Sequence, residues 1–103
     1  MDKREDIIDK VRAYKTLVQE TFPMKIEKVY LFGSYAKGTP REHSDIDVAV
    51  VVSHFEGDFL KVVPPLWTLR RQIDPRIEPV VIARDTDYAG FLDEIQRTGV
   101  EIM

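Results

Sequence analysis

The chain has 103 residues, a formal net charge of −3 at pH 7 and no cysteine. This length suits one core, so residues 1–103 are predicted to form a single domain. The lack of cysteine excludes a disulfide framework and a thiolate zinc site, and the negative charge argues against broad nucleic-acid binding, which requires a basic surface.

The amino-terminal segment, Arg4 to Phe22, is predicted to form an amphipathic helix that ends before Pro23. Its apolar residues recur at steps of three and four: Ile7, Ile8, Val11, Tyr14, Val18 and Phe22. We expect the apolar side to cover a sheet; binding of a partner to the other side is the alternative. The charged first residues lead into no signal-peptide core, and no apolar run is long enough to cross a membrane, which predicts a cytoplasmic protein.

Two apolar segments of strand type flank a polar link in the middle of the chain. The first, Val29 to Phe32, ends at Gly33-Ser34, and the second, Ile46 to Val52, is headed by Asp45 and Asp47. Because side chains alternate along a strand, the two aspartates share one face, with roughly 6.5–7 Å between their Cα atoms. Carboxylates at that spacing can hold one or two cations, and oxygen-only ligands favour Mg²⁺ or Mn²⁺.

The Gly33-Ser34 turn is a candidate phosphate site. Gly33 has no Cβ, so a phosphate can approach its backbone, and Ser34 offers a hydroxyl and an N–H at the start of a short helix. The alternative is that Gly33-Ser34 is an ordinary turn and that Asp45 and Asp47 are a solvated start of a strand. However, the Gly-Ser turn and the acidic pair occur in order, each at the end of a predicted strand, and this combination favours a site for a metal-bound nucleotide. A P-loop is excluded, because Thr39 stands where its lysine is required and Pro40 follows.

The carboxyl-terminal half is predicted to contain helix, strand, helix and a short edge strand at residues 100–103. The first helix lies within residues 59–73 and begins near Pro64-Pro65, because proline cannot lie inside a helix cheaply. A strand over residues 76–83 follows, and Thr86 or Asp87 then caps a last helix through Thr98, with Gly99 after it. The predicted fold class is α+β, a small mixed β-sheet with helices packed on one face.

Three aromatic or imidazole side chains are further candidates for ligand binding. Trp67 could stack on a nucleotide base, although a core or interface position is more common for tryptophan. His43 and His54 are interpreted as surface residues, because neither has a second histidine or a cysteine at metal-ligand spacing.

The motif resembles the signature of the DNA polymerase β-type nucleotidyltransferase superfamily. That signature is Gly-Ser, here Gly33-Ser34, then ten residues, then Asp-x-Asp, here Asp45-Ile46-Asp47. The flanking residues, Leu-Phe before the Gly-Ser and Ser44 and Val48 around the acidic pair, extend the likeness. The chain is most similar to the minimal nucleotidyltransferase (MNT) branch, whose members resemble the antitoxin partners of HEPN-domain toxins. The resemblance covers nearly the whole chain and implies a palm-like nucleotidyltransferase fold.

The resemblance also implies a third carboxylate on the strand beside the Asp-x-Asp strand. Glu78 is the matching position, and it would bind metal with the two aspartates and draw the proton from the attacking hydroxyl. The family residue is commonly aspartate, and Pro79 removes a ladder donor, which fits an edge strand better than a central one. Asp74 is the alternative third carboxylate, and Glu78 would then be a surface residue.

The implied function is Mg²⁺-dependent transfer of a nucleoside monophosphate, AMP from ATP, to a hydroxyl acceptor. Asp45, Asp47 and Glu78 would hold the metal, and Gly33 and Ser34 would bind the outer phosphates. Larger relatives bind the acceptor with an additional domain, so a partner is implied here: a HEPN-type toxin that receives AMP on a tyrosine. The alternatives are a non-catalytic antitoxin or regulatory module, an enzyme acting on a small molecule such as an aminoglycoside, and nucleic-acid extension, which the charge disfavours.

Overall fold

A four-stranded mixed sheet forms the centre of the protein in the computed structural model, which describes residues 3–40, 44–87 and 89–103. The strands are β1 (Lys28–Phe32), β2 (Ile46–Val52), β3 (Ile77–Ala83) and β4 (Val100–Glu101). Their order across the sheet is β3-β2-β1-β4. Strand β1 pairs antiparallel with β2 and β4, whereas β2 pairs parallel with β3. The predicted mixed sheet and its short edge strand are therefore present.

Among the described residues, five helices connect or cover the strands. They are α1 (Arg4–Thr21), α2 (Ser34–Lys37), α3 (Phe59–Val62), α4 (Pro64–Leu69) and α5 (Phe91–Thr98), with 3-10 turns at Arg70–Gln72 and Arg84–Thr86. Pro64 and Pro65 occupy the first positions of α4. The predicted helix therefore begins at the prolines, as expected, and residues 59–62 form a separate short helix before it. No helix in the described ranges is long and apolar enough to span a bilayer.

Because side chains alternate between the two faces of the sheet, the apolar residues form two clusters, one on each face. The larger lies under α1, α2 and α4, and its strand residues are Val29, Leu31, Ile46, Val48, Val50 and Ile77. The smaller lies under α5 and contains Tyr30, Ala49, Val51, Ile82, Leu92 and Ile95. The α+β mixed sheet is as predicted, but α5 covers the face opposite to the other helices. Strand β2 is apolar on both faces, so each face requires a cover.

Strand β3 is an edge strand, and this explains the proline that follows Glu78. The N–H of Ile46 donates to the Arg76 carbonyl at 2.9 Å, so the backbone groups of Arg76 face β2. Because the backbone groups of successive strand residues point to opposite sides, the amides of residues 77 and 79 point away from β2. On that free side, Arg70 Nη1 donates to the Ile77 carbonyl at 3.0 Å. Pro79 therefore removes no hydrogen bond from the sheet.

The last helix is capped by one of the two predicted residues. The Asp87 carboxylate accepts the N–H groups of Phe91 at 3.2 Å and Leu92 at 2.8 Å, so it satisfies two donors of the first turn of α5. Thr86 belongs to the preceding 3-10 turn instead. At the other end, Gly99 follows Thr98 as predicted, and its N–H donates to the Ile95 carbonyl at 2.6 Å.

Candidate active site

The predicted motif residues converge where the end of β1 meets the beginnings of β2 and β3. The register aligns Phe32 with Asp47 across the antiparallel pair, and Asp47 with Glu78 across the parallel pair. Neighbouring strands lie about 4.8 Å apart, and aligned residues of a parallel pair point to the same face. Asp47 and Glu78 are therefore adjacent on the α5 side of the sheet, and the Gly33-Ser34 turn follows directly after Phe32.

Gly33 is required at its position by the Asp47 carboxylate. Its φ of +75° lies in the left-handed region, and a Cβ there would lie 2.1 Å from Asp47 Oδ2. Any other residue would both strain the backbone and displace the carboxylate. The glycine thus allows the candidate phosphate-binding turn and an acidic side chain to lie in direct contact, which the spacing in the sequence alone did not reveal.

Ser34 is fixed at the start of α2, a single helical turn. The two residues after it, Tyr35 and Ala36, are buried in the larger cluster, so the turn is anchored from below. The N–H of Lys37 donates to the Gly33 carbonyl at 3.1 Å, which closes the turn. The link back to β2 includes residues 41–43, so the predicted surface position of His43 lies outside the described residues.

The carboxylates repel one another, and Asp47 shows the effect. Partial burial, followed by the negative charges of Glu78 and Asp45, raises the pKa of Asp47 to about 6. Asp45 is exposed, whereas Asp47 and Glu78 are half-buried. A carboxylate that solvent can reach and whose ionisation is disfavoured by neighbouring negative charge suits a hard divalent cation, because bound positive charge offsets the repulsion.

The carboxylates are not already arranged as a complete set of metal ligands. Within the described ranges, no three acidic, histidine or cysteine side chains are arranged so that they could hold a metal ion. A cation would have to draw the side chains of Asp45 and Glu78 inward toward Asp47. The donor set fits Mg²⁺ in chemistry, and the ligand assignment itself remains a prediction.

The alternative third carboxylate, Asp74, is engaged elsewhere. It is 6% exposed, and its oxygens accept hydrogen bonds from Arg76 and from Lys10 on α1. Hydrogen bonding to Arg76, then to Lys10, holds its pKa well below the usual range despite the opposing effect of burial. Asp74 is not among the charges that raise the pKa of Asp47. Of the two candidates, the structure places Glu78 beside Asp47.

A family model described as "Polymerase beta, Nucleotidyltransferase" matches residues 15–103. The chain belongs to this nucleotidyltransferase family. Its predicted resemblance, fold class and enzyme class are thereby confirmed, while the individual site residues remain predictions.

Known relatives point to protein adenylyltransferases. The chain is 29% identical over 99 residues to a predicted protein adenylyltransferase of Methanocaldococcus jannaschii, a match that covers 94% of this chain and 99% of the relative. A shorter match, 46% identical over 37 residues, covers 36% of this chain and 26% of protein adenylyltransferase MntA of Shewanella oneidensis. This nucleotidyltransferase is therefore similar to enzymes named for AMP transfer to proteins.

Solved structures share the fold. A toxin–antitoxin structure with AMP-PNP has a TM-score of 0.67 at 22% identity, covering 89% of this chain and 72% of the other. A predicted nucleotidyltransferase from Sulfolobus solfataricus also has a TM-score of 0.67 at 22% identity, covering 96% and 81%. At such identities the likeness establishes the fold of the nucleotidyltransferase and nothing finer.

Sequence reasoning missed two residues, Tyr35 and Arg76, that are hydrogen-bonded to each other next to the candidate site residues. Arg76 Nη1 donates to the Tyr35 hydroxyl at 3.1 Å, and Arg76 also binds Asp74 through Nε and Nη2. Tyr35 follows Ser34 directly, and Arg76 stands two residues before Glu78. The only signal in the sequence was the closeness of Arg76 to Glu78, and that closeness does not identify Tyr35 as the partner of Arg76.

The remaining candidates lie away from the carboxylates. Trp67 is 38% exposed, and the Arg70 guanidinium lies 4.8 Å above its ring. It lines a surface cavity of about 320 Å³ formed entirely by residues of the α3–α4 segment: Phe59, Leu60, Val63, Pro64 and Trp67. No carboxylate lines that cavity, so the structure offers no support for base stacking by Trp67. His54 is exposed as predicted, with Nδ1 2.6 Å from Asp85 Oδ2.

Proposed function

We propose that this nucleotidyltransferase moves AMP from ATP, with Mg²⁺ or Mn²⁺, to a tyrosine hydroxyl of a HEPN-type toxin and so acts as its antitoxin. One observation carries the catalytic part: the Asp47 carboxylate lies between the Gly33 backbone and Glu78. The proposed metal ligand thus has the proposed phosphate-binding turn on the neighbouring strand to one side and the proposed base on the neighbouring strand to the other.

The proposed reaction assigns a role to each residue. Asp45, Asp47 and Glu78 would hold the metal, and Gly33 and Ser34 would bind the outer phosphates of ATP through backbone and hydroxyl groups. Bound Mg²⁺ would supply positive charge that stabilises the transition state and the leaving group. The acceptor oxygen would attack the α-phosphorus as its proton passes to Glu78. The bond from the α-phosphorus to the bridging oxygen would break, and pyrophosphate would leave.

The acceptor and partner rest on the relatives. Two relatives are named protein adenylyltransferases, and solved structures with this fold include toxin–antitoxin complexes. A structure of one such complex contains AMP-PNP, which supports an adenine nucleotide as the donor. These names motivate a protein acceptor in preference to a small molecule such as an aminoglycoside.

The proposal is tested by label transfer with the purified chain and a lysate of the source cell. ATP labelled at the α-phosphate should mark one protein band, and ATP labelled at the γ-phosphate should not. Asp47→Asn should abolish the α-label, because the amide cannot replace a metal-binding carboxylate. The matched control is Asp93→Asn, at an exposed aspartate on α5 that should leave transfer unchanged.

The competing functions give different patterns of label. Label on small molecules or RNA would retain a nucleotidyltransferase and overturn the toxin as acceptor. A stable complex without label in any fraction would favour the non-catalytic antitoxin or regulatory module. Transfer that persists in Asp47→Asn would overturn the metal assignment.

A further inference from the structure

Arg76 contacts or adjoins all three parts of the candidate site. Its carbonyl accepts the N–H of Ile46, the residue between the two motif aspartates, at 2.9 Å. Its Nη1 donates to the hydroxyl of Tyr35, the residue after Ser34, at 3.1 Å. Its own strand begins one residue later and carries Glu78 as its second residue. One side chain and its backbone therefore join the turn, the Asp-x-Asp strand and the third carboxylate.

Asp74 fixes the orientation of the Arg76 guanidinium. Asp74 Oδ1 accepts Nε at 3.0 Å and the Arg76 backbone N–H at 2.9 Å, while Oδ2 accepts Nη2 at 2.7 Å. Lys10 Nζ donates to the same Oδ2 at 2.8 Å and ties this arrangement to α1. A paired, two-pronged arginine contact restricts the guanidinium to one plane, which a lysine cannot reproduce.

The Asp74–Arg76–Tyr35 network lies below the site and not within it. Tyr35 belongs to the cluster on the α1 side and is 2% exposed, whereas Asp47 lies on the opposite face of the sheet. The network residues therefore act on substrate only through the backbone segments that they hold. Displacement of reacting groups by about 1 Å is enough to reduce catalysis strongly, so such support has functional consequences.

We infer that Arg76, oriented by Asp74, is a positioning residue that holds the Gly33-Ser34 turn in register with Glu78 through the Tyr35 hydroxyl. This inference rests on the proposed function for its consequence, since the positioned groups are the proposed phosphate and metal ligands. Its structural content, the coupling of α2 to the start of β3, is measurable without turnover.

The most selective variant is Tyr35→Phe, which removes one hydroxyl and leaves the buried ring in place. The measurement is calorimetric binding of Mg²⁺ with a non-hydrolysable ATP analogue to the full chain. Tyr35→Phe should weaken binding by about three- to tenfold, as expected for one lost hydrogen bond. Arg76→Lys keeps the charge beside Asp74 but loses the two-pronged contact, and it should weaken binding by about tenfold or more.

The matched control is Arg84→Lys, in the 3-10 turn that follows β3. Arg84 Nε donates to Glu27 at 3.0 Å in an exposed ion pair, so its replacement should leave nucleotide binding unchanged. A purely structural role for Arg76 would lower the melting temperature of the variants and leave the affinity of the folded protein as in the wild type. Wild-type affinity in both Tyr35→Phe and Arg76→Lys would overturn the inference.

A second readout separates this inference from the proposed function. If the wild-type chain binds no analogue, the proposed function fails. The amide chemical shifts of Gly33, Ser34 and Glu78 then test whether the turn and β3 are coupled. Tyr35→Phe should move the Glu78 amide, which lies on another strand, because the two segments are coupled through Arg76. An unmoved Glu78 amide in a folded Tyr35→Phe variant would overturn the coupling itself.

Discussion

Asp47, the proposed metal ligand on β2, is a carboxylate that the fold accommodates at an energetic cost. Partial burial and the charges of Glu78 and Asp45 raise its pKa to about 6, above its ordinary value of 3.8. The unfolded chain therefore loses this proton at a lower pH than the folded chain, so ionisation of Asp47 reduces stability as pH rises from about 4 to about 6. Above that range, the full cost is present whenever no cation is bound.

We expect Asp47→Asn to raise the free energy of unfolding by about 1–2 kcal/mol at pH 7.5 in the presence of EDTA. The pKa shift sets a larger ceiling, and partial exposure of the side chain reduces the value. Urea denaturation at several pH values measures it, and the gain should shrink as the pH falls from 6 to 4. Equal stabilisation at pH 4 and pH 7.5 would exclude the charge as the cause. Asp93→Asn should change stability by less than about 0.5 kcal/mol at either pH.

Helix α5 depends on a cap that lies four residues before it. Asp87 accepts the N–H groups of Phe91 and Leu92, and α5 places Leu92 and Ile95 against the face of β2 that carries Asp47. Asp87→Ala should lower the free energy of unfolding by about 0.5–2 kcal/mol and speed amide exchange at Phe91 and Leu92. Asp87→Asn keeps an acceptor and should recover most of the loss. Unchanged exchange in Asp87→Ala would show that the cap contributes nothing.

At the level of secondary-structure elements, the sequence predicted the features that depend only on neighbouring residues. Alternation along residues 46–52 placed Asp47, Ala49 and Val51 on one face, and Pro64 marked the start of α4, because both depend on neighbouring residues. The position of α5 on the opposite face could not be read in this way. Its apolar stripe of Leu92 and Ile95 specifies burial but not the face of the sheet on which burial occurs.

At the scale of the whole molecule, contacts between residues distant in sequence join the segments around the candidate site. These contacts could not be predicted from the sequence. Lys10 and Asp74 are 64 positions apart, and Tyr35 and Arg76 are 41 apart. Nothing in the periodicity of either segment selects its partner. The sequence therefore predicted Gly33, Ser34, Asp45 and Asp47 as site residues by motif and Glu78 by resemblance to the family. The partners of Asp74, the alternative to Glu78, became known only from the structure.

Breaking the ion pairs of Asp74 should loosen α1 from the start of β3. Its folded pKa lies below the ordinary value, so the stabilisation is present above about pH 4 and is lost as the pH falls toward the folded pKa. Asp74→Asn should lower the free energy of unfolding by about 2–3 kcal/mol at pH 7, less than for a fully buried pair because Lys10 and Arg76 remain partly exposed.

Urea denaturation of wild type and Asp74→Asn at pH 7 and near pH 3 tests this role. The difference between the two proteins should narrow at the lower pH, because the unfolded wild-type chain then binds a proton at Asp74 that folding must release. The matched control is Asp9→Asn, which breaks only an exposed pair with Arg12 on α1 and should change stability by less than about 0.5 kcal/mol. A constant difference across this pH range would mean that the shape of the carboxylate, rather than its charge, holds α1 to the strand that carries Glu78.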